Sequence, residues 1–383
     1  MQKQMAIVGV GYSGFSSISP GLSYKELMYE AAVRAYQDAG IDPRQDADGF
    51  VTVAEDFHEG TSIFDEYVPD QLGAVMRPVH TVTGDGIHGL IAGALKILSG
   101  AMNIVVVEGH SKASNILTLS QVTAYALDPI YNRPLGLNPY SIAGLEMQRF
   151  LHQTKNTVEQ CARVVVKNRR NALNHPSAGH GSDISLEDVL ASERVASPLR
   201  KLDIAPHSDG CVVFVLASAD AARDLTPQPI WIRGMGWSNG SYSLEQRNWA
   251  HADYARQAAQ MAYHQAGVEK PHDEIDFAEI DDTFSYKELQ HMEALELCGE
   301  GEAGRMIDEG ATQPGGSLPI NVSGGSLGVG NLLEASGLQR VLEVVLQLRG
   351  QASARQLKNV ETGLAFAWRG LPTASGAALV LSR

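Results

Sequence analysis

The run Asn321–Asn331, N-V-S-G-G-S-L-G-V-G-N, constrains this chain more than any other stretch. Glycine is used where backbone must turn sharply or pass close to another segment, and Gly324, Gly325, Gly328 and Gly330 fall within seven residues. Pro314–Pro319 (P-G-G-S-L-P) leads into the run and a helical pattern over 334–349 leaves it. Elsewhere strands alternate with helices. Met5–Gly11 reads as a buried strand closed by glycine, and Ser23-Tyr24-Lys25-Glu26 as a capping box opening a helix that ends at Gly40. An apolar helix is predicted over 86–99, with strands at 103–108 and 212–216. A second unit repeats the order: strand 230–234, helix 252–267, strand 277–280 feeding a helix from Phe284, helix 334–349 and strand 377–381. The alternation implies an α/β fold with largely buried sheets. It divides the chain into halves at 1–220 and 229–383, joined by a Pro-containing linker over 218–229, with residues 110–200 inserted in the first half as a loop domain.

The net charge is −14 and the pI about 5.3. Such a chain repels phosphate backbones, which argues against nucleic-acid binding. An anionic ligand would need a local basic cluster, and Lys167-Asn168-Arg169-Arg170 is the candidate; a solvated helix face is the plainer explanation. No apolar run approaches the ~20 residues of a membrane span, and Met1–Met5 leads straight into a strand without a signal-peptide pattern. Cys161, Cys211 and Cys298 are too scattered for a disulfide framework or a zinc site, so no metal is expected and a reducing cytoplasm fits.

The glycine run resembles the active-site loop of the thiolase superfamily, N-x-S-G-G-x-x-x-x-G-H-P, except that Asn331 and Leu332 replace the His and Pro. Lys167–Pro176, Ser197–Asp203 with Ser208-Asp209-Gly210, and Pro314–Pro319 resemble segments of its sterol-carrier-protein and archaeal branch, so the resemblance spans nearly the whole chain. It implies a duplicated fold with an αβαβα core per half, a homodimer, acyl-CoA as substrate with no covalently bound cofactor, and a separate OB-fold, zinc-ribbon partner subunit. Thiolase chemistry acylates a cysteine at a helix N-terminus. Aligned on that motif, Thr83-Gly84-Asp85-Gly86 stands where C-A-S-G is expected, so Thr83 occupies the nucleophile position. The C-terminal C-x-G-G-G-type loop is replaced by Phe366–Gly376, which has no cysteine; Trp368 there is a candidate substrate contact or core aromatic, Arg369 an anion partner or surface charge.

The candidate catalytic set is Thr83, Asp85, His88, Asp282, Tyr286 and Asn331. Asp85 is read as general base or helix N-cap, and His88 as a site or packing histidine one turn on. Asp282, in Asp281-Asp282-Thr283-Phe284 where the family has an N-E-A-F-type turn, is an acid/base or the cap of the next helix, which carries Tyr286. Asn331 is an oxyanion donor. Lys167, Arg169, Arg170, Ser323, Gly324 and Gly325 are the candidate CoA contacts. The expected function is an atypical thiolase-like acyltransferase or carbon–carbon lyase acting on a 3-ketoacyl- or 3-hydroxyacyl-CoA without the cysteine, with retro-aldol cleavage among its forms. The alternatives are a non-catalytic subunit that binds acyl-CoA or braces an active partner, and an ordinary acetyltransferase whose cysteine lies elsewhere in the alignment.

Overall fold

The structure is a computed structural model, and it describes residues 4–55, 58, 63–370 and 372–383; the Met1–Lys3 part of the N-terminal reading lies outside them. Nine strands form the main sheet: β1 Met5–Ser16, β2 Gly49–Val53, β3 Val79–Val82, β4 Ile104–Lys112, β5 Asp209–Ser218, β6 Ile230–Asn239, β7 Phe277–Glu279, β8 Thr362–Trp368 and β9 Ser375–Ser382. Their order is β3-β2-β4-β5-β1-β6-β9-β8-β7. Reflected about the β1/β6 junction, β5 corresponds to β9, β4 to β8 and β2 to β7. The junction itself is slight, only Ala6↔Trp231 and Ile7↔Ile230.

The helices that matter for the site are α1 Tyr24–Ala39, α2 Gly86–Leu98, α3 Pro139–Thr154, α4 Val158–Ala172, α5 Asp253–Ala266, α6 Ser285–Ala294, the single turn α7 Gly325–Val329, and α8 Ser336–Leu348. Side chains alternate across each strand, and here both faces are apolar. On β5, Val213 and Val215 pack with α1, whereas Val212, Phe214 and Leu216 face inward with Ile87 and Leu90 of α2 and Leu338 and Val341 of α8. On β8, Ala365 and Ala367 join that same inner core, while Leu364 and Phe366 face α5 and α6. The layers are therefore α1, first half-sheet, α2 with α8, second half-sheet, α5 with α6. The αβαβα stack belongs to the whole molecule, because the two halves share one central helical layer; this corrects the expectation of such a core in each half.

The capping box at Ser23 and the left-handed Gly40 that ends α1 are both present, as is the left-handed Gly267 after α5. Strands β2 and β3 carried no sequence signal. Phe366–Trp368, read as loop, completes β8, which leaves Arg369–Ala374 as the connection. The segment read as a linker holds a short helix, Ala219–Leu225. Helices α3 and α4 lie in the long connection between β4 and β5.

Candidate active site

The N-termini of the two central helices meet at one carboxylate. Asp85 caps α2, accepting a hydrogen bond from Ile87 N at 3.1 Å, and its second oxygen accepts from Gly337 N in the first turn of α8 at 2.9 Å. A Cβ on Gly337 would stand 1.7 Å from Asp85 Oδ1, so only glycine permits the approach. Two helix dipoles favour a negative charge here, yet Asp85 is 3% exposed. Burial pushes its carboxyl up to about 7, with Asp281 adding to the rise and Arg340 and the two N–H donors opposing it. Both protonation states are thus populated near neutrality, as an acid/base requires.

Asp85 opens into a cavity of about 380 Å³ whose walls come from both halves. Asn331 lies on that wall. Its Oδ1 accepts from Leu333 N at 2.9 Å and from Ser336 Oγ at 3.1 Å, which fixes the amide and makes Nδ2 the donor offered to a ligand. Asp281 is also on the wall, held by Arg340 Nη2 at 2.8 Å and by Thr283 N at 3.1 Å. Arg340 is wholly buried; burial works against its charge, and Asp281, Asp282, Asp85 and Glu279 outweigh that. Trp368 forms an apolar wall, and behind it the buried Lys287 ammonium sits 4.1 Å from the ring centroid, paired with Glu146 at 2.8 Å. At another part of the cavity His58 Nδ1 is hydrogen-bonded to Glu334, and Arg369 Nε donates to Glu55 Oε1 at 2.6 Å. His207 lines the same space, its imidazole pushed down to about 4 by burial and by the neighbouring His58 and His180.

Of the six catalytic candidates the structure brings Asp85 and Asn331 together in the cavity. Thr83 is exposed and is not among the lining residues, although Gly84 is. His88 closes the α2 capping box by accepting from Asp85 N at 3.3 Å; burial and Arg369 push it down to about 4. Asp282 does act as a cap, but not of the helix that follows it. Its oxygens accept from Ser326 N at 2.6 Å and Leu327 N at 3.1 Å, so it caps α7 inside the glycine loop, with Asn168 Nδ2 at 2.8 Å. It is fully buried, and burial pushes it up to about 7 against the Arg340 charge. Tyr286 is buried with its hydroxyl on Glu146 Oε2 at 2.7 Å, and burial raises it well above the ordinary phenol range.

The candidate CoA contacts separate in the same way. Lys167 is buried between Glu288 Oε1 at 2.8 Å and the Ile320 carbonyl at 2.7 Å, so it is neither a solvated charge nor a ligand contact. Ser323 is committed to Glu279, and Gly324 and Gly325 pack against Ala172 and Asp282. Gly325 has φ +56°, and a Cβ there would lie 2.2 Å from Asp282 Oδ2. The loop is a packing device beneath the site. Arg169 is half-buried and Arg170 is exposed beside Asp183.

Glu55, His58, His207 and Glu334 are lining residues that sequence reasoning missed. Glu334 stands three residues beyond Asn331, at the end of the glycine run, and His207 directly precedes the Ser208-Asp209-Gly210 motif, and those positions were the available signals; Glu55 and His58 lie in segments without a motif. No cysteine lines the cavity: Cys161 and Cys211 are fully buried in separate cores, and Cys298 borders the first of these. Among the described residues no group of three or more His, Cys, Asp or Glu could hold a metal ion, and no helix is long and apolar enough to cross a membrane.

Residues 236–383 match the family described as "Thiolase C-terminal domain-like". The chain is 31% identical to an acetyl-CoA acetyltransferase of Methanothermobacter thermautotrophicus over 370 residues, covering 94% of this chain and 95% of that one. It is 31% identical to the 17-hydroxy-3-oxo-4-pregnene-20-carboxyl-CoA lyase of Mycobacterium tuberculosis over 385 residues, covering 97% of each. Among solved structures, the Ltp2-ChsH2(DUF35) aldolase superposes with a TM-score of 0.85 at 29% identity, covering 99% of this chain and 97% of that one.

Proposed function

The chain belongs to the thiolase superfamily, and from that premise we propose that it is an acyl-CoA carbon–carbon lyase that cleaves 3-hydroxyacyl-CoA thioesters by a retro-aldol route, without an acyl-enzyme. One observation carries this reading: a single cavity holds Asp85, with its carboxyl near 7, and the fixed amide of Asn331, and no cysteine lines it. Thiolysis needs a nucleophile to hold the acyl group. Retro-aldol cleavage needs a donor for the thioester oxygen as it becomes an enolate, and an acid to protonate the enolate carbon. Asn331 Nδ2 fills the first role and Asp85 the second. The lyase and aldolase names of two relatives support the same direction.

Coenzyme A is the thioester portion of the substrate and stays on the acyl product, and of the basic run only Arg169 and Arg170 reach the surface to meet its phosphates. The reading includes a homodimer and an OB-fold, zinc-ribbon partner. The aldolase neighbour is named as Ltp2 joined to ChsH2(DUF35). Beside the cavity-lining Leu119, Thr123 and Ala126, the side chains of Leu117, Tyr125, Ile130, Tyr131 and Leu135 present an exposed apolar surface that a partner would cover.

The test is mass spectrometry of 3-hydroxyacyl- and 3-ketoacyl-CoAs incubated with the purified chain, with and without free CoA and a candidate partner. Release of an aldehyde or ketone that does not require CoA is expected. CoA-dependent chain shortening would overturn the proposal in favour of thiolysis.

A further inference from the structure

Retro-aldol cleavage begins with loss of the 3-hydroxyl proton, and the two groups assigned so far act at the other end of the breaking bond. Resting on that lyase reading, we propose that His58 is the general base for the hydroxyl and that Glu334 is its positioning residue. His58 Nδ1 is hydrogen-bonded to Glu334, and both side chains lie on the cavity wall. Glu334 is 4% exposed and stands on the turn Leu333–Ala335, whose Leu333 N–H is the donor that fixes Asn331. The same turn runs into α8, whose Gly337 N–H holds Asp85. The base, the oxyanion donor and the acid are thereby registered against one another by the turn Leu333–Ala335 and the helix α8 that it leads into.

A carboxylate on Nδ1 fixes the tautomer and orientation of an imidazole and favours its protonated form. Proton transfer then takes place at Nε2. The hydroxyl proton passes to His58, and the alkoxide becomes a carbonyl as the Cα–Cβ bond breaks. The electron pair of that bond flows into the thioester, giving an enolate whose oxygen rests on Asn331 Nδ2. Asp85 gives its proton to Cα and is reprotonated from solvent as His58 loses its own. No oxidant, reductant or water is consumed. Among the described residues, the titratable groups facing His58 include Glu334, Glu55 and His207; Glu334 and Glu55 favour the imidazolium and a charged His207 would oppose it.

The test uses the full chain with His58→Gln and, separately, Glu334→Gln, and reads two reactions. One is cleavage of the 3-hydroxyacyl-CoA that the wild type accepts. The other is deuterium uptake at the α-carbon of the saturated acyl-CoA product in D2O, which needs Asp85 and Asn331 but no base at the hydroxyl. His58→Gln is expected to lower kcat for cleavage about 100-fold or more, with α-exchange kept within about threefold, which also shows that the variant folds. Glu334→Gln is expected to move the acidic limb of the kcat/KM–pH profile to lower pH, because the imidazolium loses its partner. Cleavage unchanged in His58→Gln, or lost together with exchange, overturns the assignment. Absence of both reactions in the wild type overturns the lyase reading itself, and this assignment with it.

Discussion

Asp85 and Asp282 are the same residue in the same kind of place, each a buried carboxylate capping a helix and each pushed up to about 7 chiefly by burial. Only Asp85 borders the cavity; Asp282 is closed over by the glycine loop. A sequence displays a carboxylate before a helix but not which side of it faces open space, so Asp85 and Asn331 were legible as candidates while their separation from Asp282 was not. The same limit explains Thr83, which alignment places at the nucleophile position and the structure leaves exposed outside the cavity. Thr83→Ala is therefore expected to keep kcat within about twofold in the cleavage assay; a larger loss returns Thr83 to the mechanism. Asn331→Ala is expected to lower kcat about 100- to 1,000-fold, the usual cost of removing one oxyanion donor, with KM little changed. A variant that instead raised KM at constant kcat would make Asn331 a ground-state contact.

At the scale of elements, the glycine run was read correctly as the chain's defining feature but misassigned as a ligand cradle. Its backbone turns so tightly under α4 that no side chain fits at Gly324 or Gly325, and its donors are spent on Asp282 and Glu279. Spacing reports that the backbone must come close to something, not to what. Lys167 fails for a related reason: three positively charged residues in four look like a surface patch, whereas the helical turn sends Lys167 inward to Glu288. The strands β2 and β3 escaped notice because five residues buried on both faces, and four that are half-buried apart from the exposed His80, are too short or too uniform to show an alternation. Asp282→Ala tests the structural role of the loop. It strips the partner from Ser326 N and Leu327 N, takes one of two acceptors from Asn168 Nδ2, which keeps Glu288, and removes a nearby counter-charge from the buried Arg340. At about 1–3 kcal/mol for each buried donor left unpaired, the loss should be about 3 kcal/mol or more by urea denaturation at neutral pH. A loss below about 1 kcal/mol would mean that water takes over the donors and that the cap is dispensable.

For the whole molecule the consequence of one shared central layer is an excess of buried carboxyls where the halves meet. Around Arg340 lie Asp85 and Asp282, each near 7, and Glu279, pushed up to about 8 by burial and by Glu343. Each binds its proton more tightly folded than unfolded, so each contributes stability that is full below its ordinary value near 4 and is lost as pH rises through the folded value. Five histidines act with the opposite sign, the half-buried His180 and the buried His291 among them. Burial holds His88 and His207 near 4 and His175 near 3, so their contribution falls away as pH drops below the ordinary 6.5. Between pH 4 and 6.5 the two sets oppose each other. Above 6.5 the unfolded histidines also approach neutrality, and the carboxyls dominate the response. Stability should therefore decline between pH 6.5 and 8, read as a falling urea midpoint at constant slope. A midpoint that stays level or rises over that interval would mean that Arg340 holds all of these carboxylates ionised, and Asp85 would then lack the proton its catalytic role requires.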